Sequence, residues 1–283
     1  MIEIIVNSNN KNSLKKLAEL ECCLKQERIV YKVLKTSEKE NATSLMDKIK
    51  GDDLIVIGGD GTINEVMNNY HKENIIYFAS GSGNDLGRSL QLDKQVSKVT
   101  KLLENGEITY YDVGEIDGRK FCTGFDIGFN ADVIRRVESS KFKKYFRKYI
   151  YLFCGIISIL NLKKYNAEII FNNKKIETTK LYLLNVMLQP YEGGGVKFSH
   201  NASGKDGMFH ILIMRNMKPP LFVYNYLCLL LKRHDKLKKV EIYTAKTLTV
   251  KTNQNYYQVD GELIKNKKQL MLKCLEKYYK IKK

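Results

Sequence analysis

The chain has 283 residues, of which 43% are hydrophobic, and this composition supports one large or two modest globular domains rather than a disordered chain. The formal net charge of +17 indicates a polyanionic partner such as a nucleotide, a nucleic acid or an anionic membrane surface. The longest uncharged run, residues 149–162, is shorter than the roughly 20 residues of a membrane-spanning helix.

Strand and helix patterns alternate through the first 107 residues. Each strand pattern is short and aliphatic, and a helical pattern with one apolar face or a polar turn follows it. This alternation predicts a parallel, doubly wound α/β sheet, whose ligands collect at the carboxyl ends of the strands. The predicted strands are residues 2–6, 29–34, 54–57 and 75–79.

The third strand ends in a glycine-rich turn, residues 58–64, and a helix is expected to begin near Thr62. Glycine allows backbone N–H groups to approach an anion, and a helix N-terminus adds partial positive charge. The spacing matches neither G-x-x-x-x-G-K-[ST] nor G-x-G-x-x-G. Asp60 at its centre would suit a divalent cation placed between the carboxylate and a phosphate. The alternative is a βα turn in which Asp60 only caps a helix.

A second glycine-rich turn, residues 80–88, follows the fourth strand. Both turns come at carboxyl ends of neighbouring strands, so we expect them to share one cleft.

The pattern changes near residue 108, where strand-like segments begin to dominate. We predict a nucleotide-binding domain at 1–115 and a mostly antiparallel β domain at 116–275, with 276–283 as a candidate to return to the first domain. Helical stretches are expected at 131–162 and 221–231. The predicted strands of the second domain are residues 120–123, 166–171, 180–188, 207–214, 240–250 and 256–259.

Several acidic residues stand beside glycine or at predicted strand ends, where their side chains can reach a cleft. In Asp260-Gly-Glu262, a carboxylate on a tight turn could remove a proton from a substrate hydroxyl. The alternative is an Asp-Gly hairpin turn without chemistry. Asp206-Gly207 is similarly a candidate cation ligand or a simple turn. The candidate acids are Asp60, Asp85, Asp112, Asp126, Asp132, Asp206, Asp260 and Glu262.

Residues 141–151 mix cations with aromatic side chains and lead into an apolar stretch, as in helices that lie at a membrane interface. The alternative is a core helix with a solvated basic end. Six cysteines lack metal-site spacing, and the first residues lack the features of a signal peptide. We therefore expect a cytoplasmic protein with reduced thiols that associates peripherally with the inner face of the membrane.

Taken together, these motifs resemble the diacylglycerol kinase catalytic-domain family, specifically the soluble bacterial lipid kinases related to diacylglycerol and sphingosine kinases. The resemblance implies an N-terminal α/β domain, a C-terminal β-rich domain that takes the lipid substrate, and ATP with Mg²⁺ in the cleft between them. The matching segments, in family order, are residues 58–64, 81–88, 112–114, 128–132, 206–207 and 260–262.

The resemblance also implies roles for individual residues. Asp260 would be the general base on the lipid hydroxyl, with Glu262 beside the nucleotide and metal, and Asp60 part of the catalytic set. The residues implied to contact ATP are Asn7, Thr36, Gly58, Gly59, Asp60, Gly61, Thr62, Ile63, Asn64, Ser82, Asn84 and Glu262. The implied magnesium ligands are Asp60, Asp85 and Asp112 at a catalytic site, and Asp206 with the backbone carbonyls of Ser203 and Met208 at a structural site. Lys205 stands where the family usually has a second acid.

The expected reaction is transfer of the ATP γ-phosphoryl group to a lipid hydroxyl at an anionic membrane surface, with diacylglycerol as the first candidate acceptor. Other candidates are a kinase for a sphingoid base or a polyprenol, an NAD kinase, and a non-enzymatic binder of membrane or nucleic acid. Nucleic acid is not expected as a partner, because a binder of this kind leaves the ordered acidic motifs unexplained. A homodimer is possible.

Overall fold

The computed structural model describes residues 1–93, 95–140 and 149–283. Within these ranges the helices are α1 (Lys11–Gln26), α2 (Ala42–Leu45), α3 (Asp60–Asn68), α4 (Asp85–Ser89), α5 (Val99–Asn105), α6 (Phe129–Ser139), α7 (Tyr149–Leu160) and α8 (Pro219–Leu230). The strands are β1 (Ile2–Val6), β2 (Tyr31–Lys35), β3 (Asp53–Gly58), β4 (Asn74–Ala79), β5 (Ile108–Ile116), β6 (Arg119–Phe121), β7 (Gly124–Gly128), β8 (Tyr165–Phe171), β9 (Lys174–Met187), β10 (Tyr191–Glu192), β11 (Val196–Lys197), β12 (Phe209–Arg215), β13 (Glu241–Ala245), β14 (Thr247–Thr252), β15 (Tyr256–Val259), β16 (Glu262–Lys265) and β17 (Gln269–Lys282).

The N-terminal sheet has the parallel order β2-β1-β3-β4. Successive strand residues point to opposite faces, so Ile4 and Val6 of β1 pack in a cluster with α1, whereas Ile5 packs in the cluster that contains Ile63 of α3. Helices therefore cover both faces, which explains why the strands are aliphatic on both sides. The predicted doubly wound α/β architecture is confirmed.

The C-terminal domain is built from antiparallel pairs, including β7 with β9, β9 with β8 and β8 with β14. Its main core consists of the inward side chains of these strands, among them Phe125, Ile169 and Leu184, all without exposed surface. The prediction of a mostly antiparallel second domain is confirmed.

Strand β17 connects the two domains. Residues 269–273 pair with β14, the strand pairs along much of its length with β5, and Lys280 and Ile281 pair in parallel with Asn74 and Ile75 of β4. One sheet therefore runs from the β15–β16 hairpin through β17 into the N-terminal sheet.

Several predicted elements differ from the observed ones. The strand expected at 240–250 is two strands separated by Lys246, whose carbonyl accepts a hydrogen bond from the backbone N–H of Cys274. The helical stretch expected at 131–162 comprises α6 and α7, and the basic segment 141–148 lies outside the described residues. In the described part of the chain, no helix combines the length and apolarity that crossing a membrane requires.

Substitutions of Tyr279 show how much its buried side chain on β17 contributes to the free energy of unfolding. Its ring is fully buried and stacks on Tyr111 with 5.7 Å between the centroids, while its hydroxyl has no hydrogen-bond partner among the described residues. Removing the ring with Tyr279→Ala should lower the free energy of unfolding by about 3–5 kcal/mol. Removing only the hydroxyl with Tyr279→Phe should leave it unchanged or raise it by about 1 kcal/mol, because an unpaired polar group is removed. Urea unfolding of both variants checks this, and a clear loss in Tyr279→Phe would contradict it.

Candidate active site

The two glycine-rich turns touch each other. A Cβ added to Gly81 would lie 2.7 Å from the Cα of Gly59, so only glycine allows this approach of the two backbones. The backbone N–H of Ser80 also donates to the carbonyl of Gly58 over 2.7 Å. The turns therefore share one cleft at the carboxyl ends of β3 and β4.

Asp60 joins the two turns through its side chain. Its carboxylate oxygens accept hydrogen bonds from the backbone N–H groups of Asp85 and Leu86, each over 3.1 Å. The residue therefore caps α4, not the helix α3 that it begins. Burial raises the pKa of Asp60, and the neighbouring carboxylates of Asp85 and Asp260 raise it further.

The first turn leaves room for a ligand. Helix α3 begins at Asp60, two residues before the expected start, and Gly59 is its N-cap. The N–H groups of its first turn have no acceptor within the helix, and a Cβ added to Gly61 would meet no atom within 4 Å. Open space thus lies over the positive end of α3, which suits an anion.

Other residues expected to contact the nucleotide lie at the same edge of the sheet. Asn7 follows β1 and donates from Nδ2 to Thr62 Oγ1 over 3.2 Å. Thr36 follows β2, and its hydroxyl oxygen accepts from the N–H of Ser8 over 3.3 Å. Ser82 is exposed on the second turn, where Asn84 Nδ2 donates to the carbonyl of Gly81 over 2.9 Å.

Asp260 lies on the hairpin between β15 and β16. Asp260 and Gly261 both have positive φ angles, +47° and +82°, as a two-residue hairpin turn of this kind requires. The backbone therefore forms the Asp-Gly hairpin turn. Whether Asp260 can also remove a proton depends on its side chain alone.

The Asp260 carboxylate accepts five hydrogen bonds. Oδ1 accepts from the backbone N–H groups of Thr123 (2.8 Å) and Gly124 (3.0 Å) and from the hydroxyl of Thr123. Oδ2 accepts from the N–H of Cys122 (2.7 Å) and from Nδ2 of Asn64 (2.6 Å). Asn64 belongs to α3, so this one carboxylate ties the first glycine-rich motif to the second domain.

Glu262 has a different environment from Asp260. Its side chain is 50% exposed and forms an ion pair with Arg119. The two carboxylates of one hairpin therefore differ, because that of Asp260 is saturated by fixed donors and that of Glu262 is held by a single cation.

The loop Gly193–Gly195 of the second domain lies against the second glycine-rich turn. The N–H of Gly194 donates to Oδ2 of Asp85 over 2.7 Å, while Oδ1 of Asp85 is bonded to Arg88. A Cβ on Gly195, whose φ is +111°, would lie 3.3 Å from the guanidinium carbon of Arg88. The second glycine-rich turn thus contacts the second domain directly.

The hydrogen-bond partners of Asp112 differ from those of Asp60 and Asp85. Its Oδ2 accepts from the N–H of Gly207 (2.7 Å) and its Oδ1 from the N–H of Lys277 (2.8 Å). Asp112 is fully buried and supports the loop around residue 206 from below.

The loop around Asp206 is closed by protein groups. Oδ2 of Asp206 lies 2.8 Å from Nε2 of His210, Oδ1 accepts from the N–H of Met208, and the cationic Lys205 precedes it. An imidazole beside the only carboxylate of the loop does not suit Mg²⁺, which prefers oxygen ligands, and the ammonium group of Lys205 lies over the ring of Tyr111 instead of adding an oxygen ligand. The loop therefore does not fit the structural magnesium ion implied for Asp206, Ser203 and Met208.

The glycine-rich turns fit a catalytic cation better. Asp60 and Asp85 place two carboxylates close together, and their mutual repulsion favours a cation, which in this structure is the guanidinium of Arg88 on Oδ1 of Asp85. No group of three or more acidic, histidine or cysteine side chains suited to a metal occurs among residues 1–93, 95–140 and 149–283. Mg²⁺ in kinases is commonly held by one or two carboxylates together with phosphate oxygens, so this pair would hold it only with a nucleotide present.

The sequence did not reveal every residue that joins the site. Asn68 lies one helical turn after Asn64, and its side chain bonds to both the N–H (2.9 Å) and the carbonyl (3.1 Å) of Lys120. The polar pair at i and i+4 on one face of α3 was the available signal.

Comparison with known proteins follows the same division into two parts. The diacylglycerol kinase catalytic domain matches residues 2–116, and the YegS C-terminal NAD kinase beta sandwich-like domain matches residues 124–274. The chain belongs to the diacylglycerol kinase catalytic-domain family. It is therefore a member of a kinase family, as its motifs indicated.

Relatives of this kinase match over most of their length. A diacylglycerol kinase of Bacillus subtilis is 26% identical over 217 residues, which are 74% of this chain and 70% of that protein. A diacylglycerol kinase of Staphylococcus haemolyticus is 23% identical over 271 residues, 92% of this chain and 81% of that protein. The crystal structure of a diacylglycerol kinase from Bacillus anthracis superposes with a TM-score of 0.77 at 21% identity, covering 99% of this chain and 96% of that one, and shows the same fold.

The bonding of Asp260 predicts a large effect of its neutral isostere on the stability of the kinase. In Asp260→Asn, the amide Nδ2 would face backbone N–H groups, so at least one buried donor loses its acceptor. Asn tolerates the positive φ, so the backbone is not the cause. The free energy of unfolding should fall by about 1–3 kcal/mol in urea titration, while Asp235→Asn, at an exposed carboxylate, should leave it unchanged. Equal stability of both variants would contradict the bonding.

Proposed function

We propose that this kinase transfers the γ-phosphoryl group of ATP to a hydroxyl of a membrane lipid, with diacylglycerol as the acceptor and phosphatidic acid as the product. The observation that carries the proposal is the contact of the two glycine-rich turns through Asp60, directly across from the hairpin that bears Asp260 and Glu262. This arrangement supports the proposal, because it would bring an anion site, a carboxylate pair and candidate proton acceptors into one cleft.

The N-terminal domain would hold the nucleotide. The open space above Gly61 and the first N–H groups of α3 would receive the phosphates, and the side chains of Asn7 and Thr62 lie beside it. Mg²⁺, when bound with ATP, neutralises phosphate charge, and Asp60 and Asp85 are the residues that would hold it. Phosphoryl transfer depends mostly on positioning and charge stabilisation, which backbone N–H groups and fixed carboxylates can supply.

The hairpin between β15 and β16 would supply the group that accepts the proton of the lipid hydroxyl. We assign proton acceptance to Asp260, whose Oδ1 is bonded to the mobile hydroxyl of Thr123 as well as to fixed backbone donors. A hydroxyl donor is the one partner in this set that can rotate away when a substrate hydroxyl approaches. Glu262, half exposed and paired with Arg119, would lie toward the nucleotide.

Two apolar helix faces support an acceptor within a membrane. Helix α7 exposes a band of large apolar side chains, and α8 exposes a second. Both helices contribute side chains to the same hydrophobic cluster of the second domain. Lysine or arginine residues follow the C-terminal end of each helix. We therefore propose that this kinase binds an anionic bilayer peripherally in the cytoplasm, since exposed apolar area and nearby cations both favour that surface. The exposed apolar residues are Tyr151, Leu152, Phe153, Ile156, Leu160, Tyr224, Leu227, Leu230 and Leu231.

The reaction is tested with γ-labelled ATP, Mg²⁺ and mixed micelles that carry diacylglycerol, a sphingoid base or a polyprenol, with NAD as a soluble acceptor. Label is expected in diacylglycerol.

Asp60→Ala should weaken the binding of Mg-ATP in calorimetry by at least about tenfold, because it removes a carboxylate from the metal and a cap from α4. Glu104→Ala, at an exposed acid of α5, is the matched control and should bind Mg-ATP like the wild type.

Each acceptor gives a distinct outcome. Label only in NAD would overturn the lipid assignment, and label only in another lipid would replace the acceptor. Unchanged Mg-ATP affinity in Asp60→Ala would remove Asp60 from the metal site.

Membrane binding is tested by sedimentation with vesicles of phosphatidylglycerol and phosphatidylcholine. Leu152→Asp should weaken binding about tenfold, because it removes an apolar side chain from the bilayer and adds a repulsive charge. Val30→Asp is the matched control, since Val30 is 68% exposed and Leu152 is 65% exposed, but Val30 lies in the N-terminal domain. Equal loss in both variants would show that charge alone, rather than the face of α7, determines binding.

A further inference from the structure

Two buried carboxyl groups lie side by side behind the catalytic hairpin. Asp126 on β7 has no exposed surface, and Glu192 on β10 is 6% exposed. Gln258 Nε2 donates to Oδ2 of Asp126 and, over 2.6 Å, to Oε1 of Glu192. Asn185 Nδ2 donates to Oδ1 of Asp126 over 2.8 Å and to Oε2 of Glu192 over 3.3 Å. Two amide groups therefore bridge the same two carboxyls.

The surroundings of the pair offer no positive charge. Among the described residues, no lysine or arginine side chain forms an ion pair with Asp126 or Glu192. The titratable groups that face the pair are Asp260 and Tyr226, both of which would add negative charge if ionised. Burial raises the pKa of Glu192 well above its usual range and also raises that of Asp126, and repulsion from Asp126 raises that of Glu192 further.

The pair is connected to both sides of the cleft. Gln258, which binds both carboxyls, accepts a hydrogen bond at Oε1 from the N–H of Gly261 over 2.8 Å. Gly261 follows Asp260 in the hairpin turn. On the other side, Glu192 directly precedes the loop Gly193–Gly195, whose Gly194 bonds to Asp85. The carboxyl pair thus lies between the hairpin that bears the proposed base and the loop that contacts the second glycine-rich turn.

The network also reaches α8. Nδ2 of Asn130 donates to Asp126 over 3.1 Å, and the hydroxyl of Tyr226 donates to Oδ1 of Asn130 over 2.9 Å. Tyr226 lies on the helix whose outer face is exposed and apolar.

We propose that Asp126 and Glu192 share one proton, and that this singly charged pair positions Gln258, and through it the Asp260–Gly261 turn, for phosphoryl transfer. Glu192 carries the proton and donates it in a hydrogen bond to the carboxylate of Asp126. At alkaline pH, the Oε–H bond of Glu192 breaks and the proton passes to solvent base, which leaves two adjacent buried charges. Their repulsion moves Gln258 and the turn, so turnover falls. This proposal rests on the proposed kinase function, and Asp126, Glu192 and Gln258 act as positioning residues.

The test compares the wild type with Glu192→Gln, because a glutamine amide has the shape and donor of a protonated glutamate but cannot ionise. Turnover with the accepted substrate is measured between about pH 6 and pH 10, each protein relative to its own value near pH 7. We expect an alkaline fall of about tenfold in the wild type and its absence in Glu192→Gln. The same relative profile in both proteins would overturn the proposal, because a merely structural glutamate would not alter the shape of the profile.

Two further measurements do not depend on kinase activity. The infrared carbonyl-stretch band of a buried carboxylic acid should be present in the wild type near neutral pH and absent in Glu192→Gln. The melting temperature of the wild type should fall relative to that of Glu192→Gln as pH rises above about 4.5, since the folded protein keeps a proton that the unfolded chain releases. No such band and parallel melting curves would overturn the shared proton even if lipid phosphorylation is observed. A band with no phosphorylation of any acceptor would instead reject the proposed function.

Asp126→Asn provides a second variant should Glu192→Gln fold poorly. It removes the other charge, so ionised Glu192 has no charged partner to repel, and the alkaline fall in turnover should be lost as it is in Glu192→Gln. A fall of the wild-type size at the wild-type pH would overturn the pairing of the two carboxyls.

Discussion

The geometry of the cleft depends on one carboxylate that accepts hydrogen bonds from two domains. Asp260 is bound by three consecutive backbone N–H groups of the second domain and by Asn64 of the first glycine-rich motif. These hydrogen bonds hold the ionised carboxylate of Asp260 in one orientation. The hydrogen bond between Asn64 and Asp260 therefore fixes the distance between the first glycine-rich turn and the hairpin. Asn68 adds a second connection from the same helix.

Asp60 and Asp260 each combine two roles that had been alternatives. Asp60 caps a helix and still belongs to a carboxylate pair that suits a cation, so capping and metal binding are compatible roles for one side chain. Asp260 occupies a two-residue hairpin turn, and its carboxylate still bonds to Asn64 of the first glycine-rich motif. The turn conformation, with its positive φ, fixes the direction of the Asp260 side chain.

Much of the architecture could be predicted from the sequence because its signals are local. Aliphatic strands followed by glycine-rich turns predict parallel strands with ligand-binding ends, and both turns meet as expected. The break at Lys246 could not be predicted from local sequence, because the long-range partner Cys274 defines it. The backbone donors to Asp260 lie 136–138 positions earlier in the chain, and nothing local marks Cys122 or Thr123. Glu192 gave no signal either, since a glutamate before three glycines resembles an ordinary loop residue.

Strand β17 has a consequence for how this protein is made. It pairs with β5 and β4 of the first half and with β14 of the second, and it follows the whole second domain in the chain. During synthesis on the ribosome, the N-terminal sheet therefore emerges with the outer edge of β4 unpaired. The edge stays unpaired until Lys280 and Ile281 of β17, about 200 positions after the end of β4 at Ala79, have been translated. An unpaired sheet edge is a template for wrong association. The nascent chain thus has an interval in which chaperone protection of that edge would determine the yield of folded protein.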